Sequence, residues 1–245
     1  MHMTRLLILM GVAAAACSGG ARDSVTLSAR LGSSGGQALL ATDGGVQAAS
    51  GIELSRVRIS VRRLRLERKS DGSEVKISEG PLLLDVNGPA LGGALVALVT
   101  AHVPPGTYDK LELDVHAVET SPSVAFDDLV ERGASVLVEG SVDGKPFTFA
   151  SGLEIELEQE GQFQLGAAAA NITLDLDAAT WFRAADGSRL NPLDPAAREA
   201  ILANIRASFR AFEDDDQDGI EDEREHRDAG DDHGDGGSDD GSGHH

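Results

Sequence analysis

Along most of the chain apolar and polar residues alternate one by one, the period of a strand with a single buried face. Ser24 to Leu31 sets Val25, Leu27 and Ala29 against polar neighbours, and Leu111, Leu113 and Val115 alternate with Glu112, Asp114 and His116. Glu53 to Lys69 is more informative. Val57, Ile59 and Val61 share one parity while Leu64 and Leu66 share the other, so a bulge near Arg62-Arg63 keeps all five on one core face. Two short strands flank Asp143-Gly144, a hairpin signal. Glu74 to Ser78, Leu153 to Gly166 and Asn171 to Phe182 bring the count to at least seven strands. The Gly/Ser/Ala-rich stretch 32–51 has weak periodicity and reads as loop with room for one short strand. Leu91 to Val99 fits a short helix or a buried strand, and periodicity alone does not choose.

Past Asn191-Pro192 the period changes. Asp194 is placed to cap, Pro195 suits a first helical position, and Ile201, Ile205, Phe209 and Phe212 follow at steps of four, four and three. This predicts one amphipathic helix near 195–212. Short strands with turns between them and little helix predict a mainly β protein, an antiparallel β-sandwich of about seven or more strands with one C-terminal helix. The expected division is a signal peptide (1–16), a lipidated cysteine and spacer (17–23), the sandwich (24–190), the C-terminal helix (191–212), a calcium loop (213–225) and a disordered acidic tail (226–245).

The order of these strands also carries a resemblance. A leucine-rich strand with Leu83 runs into Asn87-Gly88, a turn Pro105-Gly106-Thr107-Tyr108 leads into a strand, and a later strand closes on Asp177. In this respect residues 24–185 resemble the bacterial lipoprotein domain of unknown function 4382. The resemblance implies an envelope lipoprotein and carries over no catalytic residue.

Composition narrows the rest. Only 4% of residues are aromatic, with one Trp and one Tyr, so the core is aliphatic and there is little from which to build a sugar-stacking platform. The net charge is -20, of which about -13 lies from Glu213 onward. Such a balance repels nucleic acid and lacks the basic groups whose counterion release drives its binding. The basic outer face of the strand with Arg56 and Arg58 reads either as a polyanion stripe or, as expected here, as the cross-strand partner of Glu154, Glu156 and Glu158.

The single cysteine, Cys17, excludes an internal disulfide. It follows Arg5 and an apolar stretch of 11 residues, Leu6 to Ala16, too short to span about 30 Å of hydrocarbon. This reads as a secretory signal. Ala14-Ala15-Ala16-Cys17 looks like a lipobox, whose acylated cysteine would anchor the protein in a membrane; the alternative is a stray cysteine in a cleaved signal. Ser18 after the cysteine favours the outer membrane.

The remaining candidate is "DDDQDGIEDERE", Asp214 to Glu225. Against the twelve-residue EF-hand template, Asp214, Asp216 and Asp218 take positions 1, 3 and 5, and Gly219 takes 6. The Ile220 carbonyl, Asp222 and Glu225 take 7, 9 and 12. Calcium is a hard cation that takes six to eight oxygens, and alternate aspartates, a glycine turn and a closing glutamate supply that geometry. The loop also looks like those of thrombospondin type 3 repeats. Eight of its twelve residues are acidic, so carboxylates match the template in other registers too, and Gly219 with the preceding helix discriminates. Unpaired and exposed, such a site is expected to bind on the order of 10⁻⁴ to 10⁻³ M. The histidines of the tail match no defined transition-metal spacing.

These readings predict a non-enzymatic, lipid-anchored envelope protein that binds calcium and meets an unknown envelope or surface protein. An adhesin or assembly subunit is the alternative, distinguished by an open strand edge. A hydrolase is a third reading, but His102 and His116 are the only histidines between residues 24 and 212, and no nucleophile elbow, metalloprotease or phosphate-loop motif accompanies them.

Overall fold

The computed structural model describes residues 24–32, 39–42, 45–78, 80–165 and 170–222. Cys17, the signal segment, Glu225 and the acidic tail lie outside the described residues. In chain order the strands are β1 (Ser24–Gly32), β2 (Leu40–Thr42), β3 (Gly45–Ala49), β4 (Ile52–Arg68), β5 (Glu74–Ser78), β6 (Leu82–Asn87) and β7 (Val96–His102). There follow β8 (Gly106–Val115), helix α1 (Asp127–Glu131), β9 (Val136–Val142), β10 (Lys145–Ser151), β11 (Ile155–Leu165) and β12 (Ala170–Asp177). Helices α2 (Ala178–Trp181) and α3 (Arg198–Ala207) and strand β13 (Phe209–Glu213) complete the described chain.

Two sheets share one aliphatic core. The larger has nine strands and is organised by β4, whose 17 residues pair with β9 and β8 along one edge and with β3, β6 and β5 along the other. The predicted bulge is there: the β4–β8 register shifts between Val61 and Arg63, and Val57, Ile59, Val61, Leu64 and Leu66 are all fully buried. The β9–β10 hairpin turns on Asp143 (φ 49°) and Gly144 (φ 78°), the two positive φ angles that match the right-handed twist of its strands.

The smaller sheet has the order β13-β12-β1-β7. Its centre departs from the antiparallel expectation: β1 and β12 run parallel, Val25 opposite Ala170 through Gly32 opposite Asp177. Local hairpins cannot make such a pair, and the intervening chain builds the larger sheet before returning.

Two further readings are resolved. The open segment resolves into a 3-10 turn over Gly88–Gly92 and then β7, so its second half is strand. The predicted helix to 212 ends at Ala207, and Phe209 and Phe212 belong to β13, paired with Leu176 and Thr173 of β12. Ser208 closes the helix: its hydroxyl donates to the Ile205 carbonyl and accepts from the indole N–H of the fully buried Trp181. The capping by Asp194 and Pro195 occurs as expected, on a 3-10 turn that leads into α3.

The basic face of β4 is neutralised by carboxylates of neighbouring strands and of α1, as expected in kind but by other partners. Arg56 forks onto Asp85, buried Arg58 reaches Asp128 and Glu139, Arg63 meets Asp114, and Arg65 meets Glu112 and Glu74. The acidic strand β11 pairs with β8 instead, one strand removed from β4. The Pro-Gly-Thr-Tyr turn is fixed by Tyr108, whose hydroxyl donates to the Pro104 carbonyl at 2.6 Å, while Arg68 lies 5.2 Å over its ring. A Cβ on Gly106 (φ 156°) would stand 2.8 Å from Arg68 Nη1, so a side chain there would have to displace the guanidinium that packs on Tyr108.

Candidate metal site

Strands β1 and β12 are buried on both faces. Leu27, Ala29, Leu31, Ile172, Leu174 and Leu176 face the shared core. On the opposite face stand Ser28, Arg30, Asn171, Thr173 and Asp175, polar residues that are nevertheless buried. Segment 214–222 lies against them, directly after β13.

Asp214 continues the ladder, its N–H donating to the Asn171 carbonyl at 3.1 Å, and its side chain is fully buried. Its Oδ2 accepts from the Thr173 hydroxyl at 2.6 Å and from the Gly219 N–H at 3.2 Å. Its Oδ1 is buried and has no hydrogen-bond partner. A buried carboxylate oxygen without a donor is strongly unfavourable unless a cation meets it.

The chain then turns so that the carboxylates of Asp216 and Asp218 come round to Asp214. One oxygen from each of the three lies within 4.8 Å of the others, so the group can hold a metal ion. That spread matches a calcium sphere, where Ca–O contacts of about 2.3–2.6 Å put ligands up to about 5 Å apart. All three donors are hard oxygens, which suits calcium or magnesium and disfavours softer transition metals. Asp216 and Asp218 are exposed, so ion entry is unobstructed. Their other bonds set the turn: Asp216 Oδ1 accepts the Asp218 N–H at 3.2 Å and Asp218 Oδ1 accepts the Ile220 N–H at 2.7 Å.

Gly219 is required for two reasons. Its φ is 83°, and a Cβ there would lie 2.2 Å from Arg30 Nη1. That close approach lets Arg30 donate to the Gly219 carbonyl at 2.9 Å while its Nε holds Asp175 at 2.8 Å.

The structure thus brings Asp214, Asp216 and Asp218 together, with Asp222 not among them, while Glu225 lies outside the described residues. Asp222 spends its Oδ2 on the Asp215 N–H at 3.1 Å; burial, with the charges of Asp215, Asp214 and Asp216 behind it, pushes its carboxyl above the usual aspartate range. Ile220 is in the loop with its side chain half-exposed. Sequence reasoning missed Thr173, Asn171 and Arg30. Their signal was the unbroken polar parity of Asn171, Thr173 and Asp175, indistinguishable in sequence from a solvated face.

A second polar cluster lies in the larger sheet, where a cavity of about 320 Å³ is lined by Ser60, Arg62, Pro81 and residues 116–119. His116 Nδ1 is 3.1 Å from Glu154. Ser60 is fully buried and its hydroxyl makes no hydrogen bond, so the imidazole does not hold its proton.

No family model and no curated protein matches the chain in sequence. Among solved structures, MbnP from Methylosinus trichosporium is similar at 16% identity with a TM-score of 0.41, over 78% of this chain and 98% of that one. A likeness that remote carries no functional weight.

Proposed function

We propose that this is a non-enzymatic, lipid-anchored envelope protein that binds calcium at its C-terminal loop and engages another envelope or surface protein. The observation that carries the calcium reading is the Asp214 carboxylate, buried, with Oδ2 accepting from two donors, Oδ1 left bare, and the group within reach of the carboxylates of Asp216 and Asp218. Under this reading Asp214, Asp216 and Asp218 are ligands, and the Ile220 carbonyl, Asp222 and Glu225 complete the sphere as the ion binds. The N-terminal segment supports the anchor, with Cys17 as the acylated residue and the outer membrane as the address. The likeness to the lipoprotein domain of unknown function 4382 belongs to the same proposal.

Calorimetric titration of calcium into the purified chain tests the site. Saturable one-site heat, lost when Asp214, Asp216 and Asp218 are all changed to Ala, supports it; weak heat equal in both proteins removes it. Metabolic palmitate labelling tests the anchor, with label expected in the wild type and absent from Cys17→Ser.

A further inference from the structure

A calcium loop on a free tail would bind its ion and change nothing else, but this loop is seated on the first and twelfth strands. Arg30 joins β1 to Gly219 across 189 residues of chain. Asn171 bonds the loop twice through its backbone, its carbonyl accepting from Asp214 and its N–H donating to Asp215 Oδ1 at 3.2 Å. A chain of side-chain bonds also ends on the buried carboxylate. Ser28 donates to Asn171 Oδ1 at 2.8 Å, Asn171 Nδ2 donates to the Thr173 hydroxyl at 3.0 Å, and that hydroxyl donates to Asp214 Oδ2 at 2.6 Å. Because Thr173 accepts from Asn171, its one proton is committed to Asp214. Oδ2 is filled by Thr173 of the sheet and Gly219 of the loop, and Oδ1 is left without a partner.

We propose that calcium acts as a clasp that locks β13 and its loop onto the parallel β1–β12 pair, with Thr173 and Arg30 as positioning residues for the ion. The inference rests on the calcium reading above and adds a coupling to it. Without a cation, the docked loop holds a bare buried carboxylate oxygen among like charges, a state relieved either by binding an ion or by releasing the loop to water. Release breaks the bonds to Thr173, Asn171 and Arg30, all of which belong to β1 and β12. Ion binding and loop docking therefore share one equilibrium, and each favours the other. In the smaller sheet β13 is an outer strand with β12 as its partner, so undocking also opens the outer edge of β12.

Hydrogen-exchange mass spectrometry of the full chain, in excess calcium and in EGTA, tests the coupling. Calcium is expected to slow exchange roughly tenfold or more over 209–222 and in the facing parts of β1 and β12, and to leave β4 and β8 unchanged. Thr173→Val is expected to weaken calcium affinity about tenfold and to cut the gain in protection, and Thr173→Ser, which keeps the hydroxyl, to restore both. Calorimetric calcium binding with unchanged exchange in β13, β12 and β1 overturns the clasp and leaves the calcium reading standing. No binding in the wild type overturns both.

Discussion

The two sheets handle buried charge in opposite ways. In the larger sheet four arginines of β4 meet carboxylates supplied by the fold: Arg56 has Asp85, Arg58 has Asp128 and Glu139, Arg63 has Asp114, and Arg65 has Glu112 and Glu74. In the smaller sheet the Arg30 Nε pairs with Asp175 while its Nη2 stays buried without a partner, and Asp214 is buried with one oxygen bare and grouped with two further carboxylates rather than with a cation. Single atoms of the larger sheet, Arg58 Nε, Arg65 Nε and Asp114 Oδ2, also lack a hydrogen bond, but each belongs to a group that faces an opposite charge. Asp214 has no such counter-charge among its bonds, and with Asp216 and Asp218 it forms a group that could hold a metal ion.

The sharpest way to break this contrast is Asp214→Asn, which keeps the shape of the side chain and removes its charge. Calorimetry should show calcium affinity falling roughly 100-fold or more, the loss of a buried charged ligand. Undiminished affinity would move the ion to the exposed carboxylates and erase the distinction.

Next in size is Arg58→Met in the larger sheet. Losing the charge-assisted hydrogen bonds of a buried guanidinium should lower stability by about 2 kcal/mol. The loss, read by chemical denaturation, should be the same in calcium and in EGTA. A calcium-dependent loss would show that the two regions are not separate.

Gly219→Ala comes third. It forces a Cβ toward Arg30 Nη1 at a φ of 83°, and should cost about tenfold in calcium affinity as the loop shifts. Gly144→Ala in the β9–β10 hairpin strains a similar φ of 78° but meets nothing within 4 Å, and should leave affinity unchanged.

The smallest effect is a pH dependence of the larger sheet. Arg56 holds the Asp85 carboxyl below its ordinary value of 3.8 through a direct hydrogen bond. A depressed carboxyl contributes its stability above the unfolded value and loses it as pH falls through the folded one. The denaturation midpoint should drop on acidification below about pH 4, and Arg56→Met should flatten that part of the profile. An unchanged slope in the variant would mean that the pair contributes nothing.

What the chain disclosed of this in advance depended on distance along it. The bulge in β4 was legible because Val61 and Leu64 differ in parity, and only an extra residue between them keeps both on the core face. The Asp143-Gly144 hairpin was legible because its turn geometry is local. The three aspartates were legible as an alternate-position motif with a glycine. Pairings across the fold were not. Phe209 and Phe212 continue the helical spacing of Ile201 and Ile205, yet β12 and the Trp181–Ser208 bond take them into a strand. The acids opposite the arginines of β4 were sought on β11 because its glutamates alternate cleanly, but β8 lies between. The sheet that seats the loop was hidden for the same reason, since nothing local marks Thr173 or Arg30 as buried.

The most direct test is a crystal structure of the protein grown with calcium. The account predicts a cation about 2.3–2.6 Å from Asp214 Oδ1 and from oxygens of Asp216 and Asp218, with Thr173 still bonded to Asp214 Oδ2. Asp214 Oδ1 found without a cation at saturating calcium, or an ion held by the exposed carboxylates alone, would contradict it.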